Sequence, residues 1–270
     1  MMRALSVNRY LCDGTVPFPE FAAAAEDAGL KAVGVTRAAL AEMGTAGLKQ
    51  CLDDHGLAVS SLNSAGYFAV PNVPAAKGNF ALVDSAAEIG ADVLCVISGG
   101  ASSGRPIALA DARVRVADGF ARLHERASAA GVTLGLEPIH PSGIATKGCI
   151  NSIAQALEFI EPFKDARLIV DLAHSWWDAD LVPLFRDRSD RIALLQVCNV
   201  RMKNDVPAGR DTLRSGALDM AALLPPLLDG PYAGKIELEI FEEDLEGRDP
   251  LAVVSQFAGE FAGIVPARMR

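Results

Sequence analysis

Short apolar runs alternate along the chain with longer segments whose apolar residues recur about every 3.6 residues. The short runs predict buried β-strands, and the longer segments, such as residues 111–130 and 152–160, predict amphipathic helices. The predicted strands cover residues 4–7, 32–35, 59–63, 93–98, 133–137, 168–171, 193–197 and 235–241. Eight strands that alternate with helices favour a single (β/α)8 TIM barrel of the α/β class over an open doubly wound sheet. The first strand is followed by no Gly-x-Gly-x-x-Gly segment, which further weakens the open-sheet interpretation.

The alternation continues without a linker, a low-complexity tract or a charge block, so one domain is predicted over residues 1–270. The polar segment 199–217 follows the seventh strand and predicts a long loop over the mouth of the barrel, where barrel enzymes bind their substrates. The Gly/Ser-rich segment 98–105 follows the fourth strand and predicts a flexible lid, with a phosphate cradle as the alternative.

Four polar residues break the apolar pattern near the ends of predicted strands: Glu137, Asp171, Gln196 and Glu239. Parallel strands of a barrel are buried on both faces, and a buried carboxylate is costly unless a cation neutralises it. The carboxyl ends of the strands meet at one rim, so we expect these side chains to converge there. Three carboxylates and an amide oxygen predict a hard metal site suited to Mg²⁺ or Mn²⁺.

The alternative interpretation is that each acid forms its own ion pair with a nearby lysine or arginine. That arrangement requires several independent coincidences, so the shared site is favoured. Glu237 has the same strand parity as Glu239 but lies deeper along the strand. For Glu237 a paired structural role and a catalytic role both stay open.

Three segments carry a family resemblance: residues 135–141 (GLEPIHP), 170–177 (VDLAHSWW) and 237–241 (ELEIF). In this order and spacing they resemble the sugar phosphate isomerase/epimerase family of xylose isomerase-like barrels. The resemblance implies one divalent metal ion held by Glu, Asp, His and Glu at successive strand ends. The corresponding residues of this sequence are Glu137, Asp171, Gln196 and Glu239. Glutamine stands where the family has histidine, and its amide oxygen is a weaker ligand than imidazole for Zn²⁺, so the prediction is Mn²⁺ or Mg²⁺.

The resemblance also implies a reaction. A metal-dependent isomerase or epimerase of keto sugars, sugar phosphates or related polyols transfers a proton beside the carbonyl through a metal-stabilised enediolate. Glu137 and Glu239 would exchange the proton, and His174 would stabilise negative charge as a third catalytic residue. The residues that would contact the substrate are His140, Arg210 and Trp176. For the tryptophan, packing of the sixth helix is the alternative to stacking on a sugar ring.

Other functions stay open at this stage. A lyase that dehydrates a keto-polyol or cleaves a 3-keto-glycoside needs the same proton abstraction. A non-catalytic sugar-binding barrel would account for the glutamine at position 196. A DNA-repair endonuclease on this fold would need several zinc ions and many histidine ligands, whereas the chain has four histidines and a formal net charge of −9. A scaffold would leave the buried acids unexplained.

Charge and cysteine content limit the partners and the compartment. The net charge of −9 argues against nucleic acid or an anionic membrane surface as a partner. Five widely spaced cysteines without a CxxC pair argue against a disulfide framework and for a reducing compartment. No apolar stretch is long enough to cross a bilayer, and the first residues do not resemble a signal peptide. The sequence therefore predicts a cytoplasmic enzyme with a small-molecule sugar substrate, and leaves a homo-oligomer open.

Overall fold

Eight parallel strands close into a barrel at the centre of the structure, a computed structural model that describes residues 3–70, 77–102 and 107–269. The barrel strands are β1 Leu5–Asn8, β2 Ala32–Thr36, β3 Ala58–Gly66, β4 Leu94–Ile97, β5 Leu134–Glu137, β6 Arg167–Asp171, β7 Ile192–Val197 and β10 Lys235–Leu238. Neighbouring strands follow the chain order, and β10 closes the ring between β7 and β1. The predicted TIM barrel is confirmed, and each predicted strand overlaps one of these eight.

The α-helices of the described residues alternate with the barrel strands. They are α1 Phe18–Asp27, α2 Arg37–Asp54, α3 Asn79–Ile89, α4 Leu109–Ala129, α5 Ile153–Ile160, α6 Leu172–Ser175, α7 Leu181–Asp187, α8 Met220–Leu228 and α9 Pro250–Ile264. In α4, buried apolar residues recur every three or four positions on one face, as the periodicity predicts. Ser152 begins α5 by accepting a hydrogen bond from the Gln155 backbone N–H. No helix in the described ranges has the length and apolarity needed to cross a membrane.

The barrel interior has an apolar layer below the predicted polar residues. Its buried members are Val93, Cys95, Ile97, Ile139, Ile169 and Leu194. Residues two positions apart on a strand share a face, so Asp171 follows Ile169 on β6 and Gln196 follows Leu194 on β7. A Cβ on Gly135 would lie 2.6 Å from the nearest atom of this layer, so glycine is required there. The strand pleat therefore points the polar side chains inward above a packed apolar floor.

The segment after β7 differs from the sequence prediction. The prediction of a loop over residues 199–217 is only partly correct. Within this segment β8 Asn199–Lys203 and β9 Val206–Asp211 form an antiparallel hairpin. The turn residues Asn204 and Asp205 have φ values of 52° and 60°. A type I′ turn needs positive φ at both central residues, and asparagine and aspartate tolerate this region better than most residues. The polar composition that suggested a loop is thus also that of a tight hairpin turn.

The last barrel strand is shorter than predicted. The predicted strand covers residues 235–241, but β10 ends at Leu238. Glu239 is therefore the first residue beyond the strand. Its backbone N–H still donates to the Val197 carbonyl at 3.1 Å, which continues the direction of pairing to β7. This hydrogen bond keeps Glu239 at the rim of the barrel.

Candidate active site

The carboxyl ends of four neighbouring strands bring the predicted polar residues to one rim. Glu137 and Asp171 are the last residues of β5 and β6. Gln196 is the penultimate residue of β7, and Glu239 directly follows β10. All four are buried, and the most exposed of them, Glu137, is 4% exposed. The structure thus gathers these side chains as expected from the strand parity.

Glu137, Asp171 and His174 form a cluster of potential metal ligands, called the triad below. One ligand atom from each residue lies within 4.8 Å of the other two. His174 Nε2 is 3.6 Å from Glu137 Oε1 and 3.7 Å from Asp171 Oδ2. Two ligand atoms that each lie about 2.0–2.2 Å from one metal ion are roughly 3–3.5 Å from each other. The triad distances are slightly longer, so small side-chain movements would bring these atoms to ligating positions. The donor types therefore suit one divalent cation, while Lys147 Nζ lies 3.1 Å from the same His174 nitrogen and Arg210 contacts the same Asp171 oxygen.

The position of His174 follows from the direct connection between β6 and α6. Asp171 caps this helix, because its Oδ1 accepts a hydrogen bond from the Ala173 backbone N–H at 2.8 Å. Trp177 Nε1 donates to the His174 carbonyl at 2.8 Å and fixes the next turn. Burial lowers the pKa of His174 to about 3, although the Asp171 carboxylate favours the charged form. The ring is therefore neutral near pH 7, which is the form that ligates metals.

Lys147 is a site residue that the sequence analysis missed. It lies in the loop between β5 and α5, and its Nζ is 3.1 Å from His174 Nε2. The same atom lies 5.4 Å from the centroid of the Phe241 ring. Burial and the neighbouring Asp171 raise the pKa of Glu137, and the Lys147 ammonium opposes this rise. A lone lysine in a loop carries no pattern that marks it, apart from its place on the active-site side of the barrel.

Glu239 is held by three side chains from different parts of the chain. Its Oε1 accepts hydrogen bonds from Gln196 Nε2 at 2.9 Å and from Asn8 Nδ2 at 3.3 Å. Its Oε2 accepts one from Arg210 Nη2 at 3.1 Å. Burial raises the pKa of Glu239 well above its usual range, although the Arg210 guanidinium opposes this. Gln196, predicted as an oxygen ligand, presents its amide nitrogen to the carboxylate, and its buried Oε1 has no hydrogen-bond partner among the described residues, so ligation through this oxygen stays a prediction.

Arg210 of β9 links an acid of the triad to an acid outside it. Its Nη2 lies 2.5 Å from Asp171 Oδ2 and 3.1 Å from Glu239 Oε2. The guanidinium carbon lies 4.4 Å from the centroid of the Phe241 ring, within range of a cation–π interaction. Burial is the largest single influence on the pKa of Asp171 and raises it, but Arg210, His174, the Ala173 backbone N–H and Lys147 together lower the pKa of that carboxyl. Arg210 was predicted to contact substrate, and the structure places it in direct contact with two acids.

Glu237 of β10 accepts hydrogen bonds deeper in the barrel. Its donors, at 2.5 to 3.4 Å, come from β1, β3 and β7 and are Ser6, Asn8, Ser60, Ser61 and Gln196. Within the described part of the chain no lysine or arginine pairs with it. Of the two roles left open for Glu237, this arrangement supports the structural one, because the carboxylate ties three other strands to β10.

A cavity of about 150 Å³ opens beside these acids. Its lining residues are Tyr10, Asn63, Ser64, Tyr67, Cys95, Ile97, Glu137, Lys147, Glu239 and Phe241. The Tyr10 and Phe241 rings pack with their centroids 4.9 Å apart and form an aromatic wall. Larger cavities beside α3 and α4 contain none of the acids in their linings. Within the predicted lid or phosphate cradle at 98–105, residues 103–105 lie outside the described residues.

Of the two remaining predicted substrate contacts, the structure gives protein partners to His140 and, within its described ranges, none to the indole nitrogen of Trp176. His140 Nδ1 lies 2.8 Å from Ser142 Oγ, and its ring packs edge-on against Trp177 with centroids 5.9 Å apart. Trp176 follows α6, and its buried indole nitrogen has no hydrogen-bond partner among the described residues. A buried indole N–H usually finds a partner, but Trp176 is not among the described residues that line the cavity beside the acids. Contact of His140 and Trp176 with substrate stays a prediction.

Comparison with known proteins gives the same architecture. The family model described as xylose isomerase-like TIM barrel matches residues 22–257. A solved structure from Sinorhizobium meliloti 1021 is 26% identical, with a TM-score of 0.87, and the match covers 98% of this chain and 99% of that one. L-ribulose 3-epimerase is 22% identical, with a TM-score of 0.74 and coverage of 97% and 94%. The IOLI protein, solved with a zinc atom, is 14% identical, with a TM-score of 0.80 and coverage of 97% and 98%. No curated relative matches the sequence.

The family match extends from α1 into α9 and so includes seven of the eight barrel strands and every acid of the candidate site. The structural matches extend over nearly the whole chain. The chain therefore belongs to the xylose isomerase-like TIM barrel family.

Proposed function

We propose that this protein is a divalent-metal-dependent isomerase or epimerase of a keto sugar, a sugar phosphate or a related polyol. The observation that carries the proposal is the placement of two glutamates, Glu137 and Glu239, in the wall of one small cavity beside the triad. A volume of about 150 Å³ is below the roughly 300–1,000 Å³ of typical drug-sized pockets and suits a single monosaccharide. Further support comes from the fold, which L-ribulose 3-epimerase shares.

The triad would hold the metal ion. A divalent cation there supplies Lewis acidity, which stabilises negative charge on neighbouring substrate oxygens. Cys95 Sγ donates to Glu137 Oε2 at 3.2 Å, which leaves Oε1 directed toward His174. Lys147, beside His174, adds a positive charge next to the position where negative charge would develop. The chain's own residues thus orient the ligands and stabilise charge.

Glu137 and Glu239 would exchange the proton beside the substrate carbonyl. Both line the cavity, and burial raises the pKa of both above the usual range of a glutamate. A carboxyl group with a raised pKa is better matched to reversible proton transfer near neutral pH. Two carboxylates on opposite faces of a carbon give epimerisation, and one that shuttles between adjacent carbons gives isomerisation.

The proposal is tested with keto sugars in deuterated water. Metal-stripped protein would be incubated with and without Mn²⁺ and a panel of ketopentoses, ketohexoses, their phosphates and keto-inositols. We expect deuterium at the carbon beside the carbonyl and an epimer or isomer as product, only when Mn²⁺ is present. A dehydrated or cleaved product would identify the lyase alternative. If sugars bind but none of the compounds takes up deuterium, that result would contradict an enzymatic role and indicate a sugar-binding barrel.

The favoured ions, Mn²⁺ and Mg²⁺, are a separate prediction. Two carboxylates with open positions for water and substrate hydroxyls suit these ions, whereas the single imidazole of His174 is also compatible with zinc. We expect metal-stripped protein to regain full activity with Mn²⁺ or Mg²⁺. Elemental analysis of the active enzyme would measure the resident ion. The zinc atom in the IOLI structure suggests zinc as the alternative ion. Stoichiometric zinc that is required for turnover would contradict this prediction.

Composition supports the rest of the proposal. The net charge of −9 and the four histidines support a small-molecule sugar rather than nucleic acid as the partner. All five cysteines are free, and four of them are buried, which supports a location in the reducing cytoplasm.

A further inference from the structure

Part of the cavity wall is formed by three hydroxyl-bearing side chains, Tyr10, Ser64 and Tyr67, called the hydroxyl cluster below. Tyr10 follows β1, and the other two lie at the end of β3, whereas the triad belongs to the β5 and β6 side of the ring. Ser64 Oγ lies 3.0 Å from Tyr67 Oη. Burial raises the pKa of both phenols, and a hydrogen bond with Ser64 opposes the rise in each. All three groups are therefore neutral near pH 7 and can donate and accept hydrogen bonds.

The backbone that carries Tyr67 has an unusual conformation. Tyr67 has a φ of 59°, which is an outlier for a bulky side chain. Gly66 before it has a φ of 105°, and a Cβ at this position would clash with the Ile97 carbonyl oxygen. The Tyr67 N–H donates to the same carbonyl at 2.6 Å. Strained residues persist where the surrounding structure holds them, and they cluster at active sites and ligand clamps. The conformation therefore points to a function for the Tyr67 side chain.

Arg37 and Asn79 hold this turn from outside the cavity. Arg37 Nε donates to the Ser64 carbonyl at 2.8 Å, and its Nη2 donates to Asn79 Oδ1 at 3.2 Å. Asn79 Oδ1 also accepts from the Gly66 N–H at 3.2 Å, and Asn79 Nδ2 donates to the Gly66 carbonyl at 2.9 Å. Neither side chain is among the described residues that line this cavity. The hydroxyl cluster is thus fixed before a ligand binds, which lowers the entropic cost of binding.

The charged groups of the cavity belong to other residues. Among the described lining residues they are Glu137, Lys147 and Glu239. Lys147 Nζ lies 3.1 Å from His174 Nε2, on the side of the triad. A phosphate group at the hydroxyl cluster would be buried in a cavity with two glutamates, and the cluster itself has no cation to neutralise it. A hydroxyl group would find both donors and acceptors there.

We infer that Ser64 and Tyr67 are specificity-determining residues, which together with Tyr10 bind an uncharged hydroxyl group at the end of the substrate away from the reacting carbon and select against a phosphorylated end. The inference rests on the proposed function, because the proton-transfer role of Glu137 and Glu239 sets the position of the reacting carbon. Of the substrates left open there, it selects the unphosphorylated ones.

The test compares three forms of one ketose: the sugar, its terminal phosphate ester and its terminal deoxy analogue. The ketose is the one with the highest kcat/KM in the panel. Wild type should prefer the sugar over the phosphate ester by at least about tenfold in kcat/KM, because the cluster would leave the phosphate charge unpaired. It should prefer the sugar over the deoxy analogue by at least about threefold, because the analogue leaves the cluster without its partner.

Two variants then identify the residues responsible. Tyr67→Phe and Ser64→Ala should each lower kcat/KM for the sugar by about three- to tenfold. Both should leave kcat/KM for the deoxy analogue within about twofold of wild type, because a lost hydrogen bond matters only where the substrate offers the hydroxyl. A merely structural role would lower the two values by the same factor.

Tyr232→Phe is the matched control. Tyr232 is the third tyrosine of the chain, its Oη donates to the Lys235 carbonyl, and it is not among the described residues of the cavity wall. This variant should keep the ratio of kcat/KM between sugar and deoxy analogue. Thermal unfolding would establish that each variant is folded. The comparison of sugar with phosphate ester needs wild type alone, so it tests the inference even if a variant does not fold.

A phosphate ester that wild type uses as well as the sugar would overturn the inference, and so would equal losses for sugar and deoxy analogue in both variants. Turnover of that ester would still retain the proposed function. If no ketose is turned over, the same ratios are measured as dissociation constants by isothermal titration calorimetry with Mn²⁺ present. Preferential binding of the sugar without turnover would retain the inference and contradict the function. Absence of binding by all three forms would overturn the inference.

Discussion

Replacement of Glu239 by glutamine is expected to lower kcat by roughly 10²- to 10⁴-fold, the range that a general acid–base residue contributes. The amide has the shape of the carboxylate but cannot take up a proton from carbon. Its carbonyl oxygen can still accept the hydrogen bond from Arg210, whereas its NH2 group would face the amide nitrogens of Gln196 and Asn8 unless those amides turn over. Because the change removes an interaction needed in the transition state rather than substrate binding, the effect should appear in kcat more than in KM.

The measurement is steady-state kinetics with the best substrate of the panel, together with the rate of deuterium exchange. Glu88→Gln is the matched control, since Glu88 is exposed on α3 and should leave kcat unchanged. A kcat within threefold of wild type would remove Glu239 from the mechanism.

Replacement of Glu237 by glutamine is expected to lower the free energy of unfolding by about 2–3 kcal/mol. Five side chains direct hydrogen-bond donors at this carboxylate, including the amide nitrogens of Asn8 and Gln196 at 2.9 and 3.0 Å. A glutamine side chain keeps one oxygen for the two amide donors but places an NH2 group where Oε2 stands, and the Ser60 and Ser61 hydroxyls must turn to accept from it. The change also replaces hydrogen bonds to a charged acceptor with weaker ones to a neutral amide in a buried site.

Urea denaturation followed by circular dichroism measures this effect. The same Glu88→Gln variant is the control, and a surface change of this kind is expected to stay within about 0.5 kcal/mol. The folded fraction of Glu237→Gln should keep the Mn²⁺ affinity of wild type, because Glu237 is not in the triad. A loss below about 0.5 kcal/mol, or a large loss of activity without loss of stability, would show that Glu237 has a functional role instead.

Glu237 lies within β10 and Glu239 directly follows it, and we propose that this difference in position separates a structural role from a catalytic one. They share parity, and both are buried, but Glu237 lies below the rim and Glu239 lies in the wall of the cavity. Hydroxyl and amide groups of the barrel satisfy the lower carboxylate completely. The upper one contacts Arg210 and lines the cavity, and for this reason we propose it as the reactive member of the pair.

The amino-acid sequence by itself determined the barrel and the location of the acids. The alternation of apolar runs and amphipathic segments predicted eight strands because a barrel strand must be buried on both faces. Glu137 and Asp171 were recognisable because a carboxylate at the end of such a strand conflicts with this pattern. Strand parity then predicted that they face the same interior as Glu239. These features depend on neighbours in sequence, so they can be read without coordinates.

Only the tertiary structure decided which groups neutralise and orient these acids. Arg210 reaches Asp171 across 39 residues of sequence, and Asn8 reaches Glu237 across 229. Lys147 approaches His174 from a loop without any periodic signal. Strand parity predicts the face of the strand on which a side chain lies. It does not predict which atom of a neighbouring amide, or which cation from a distant part of the chain, that side chain contacts. Those contacts arise when the barrel closes, because closure brings the strand ends and their loops to one rim.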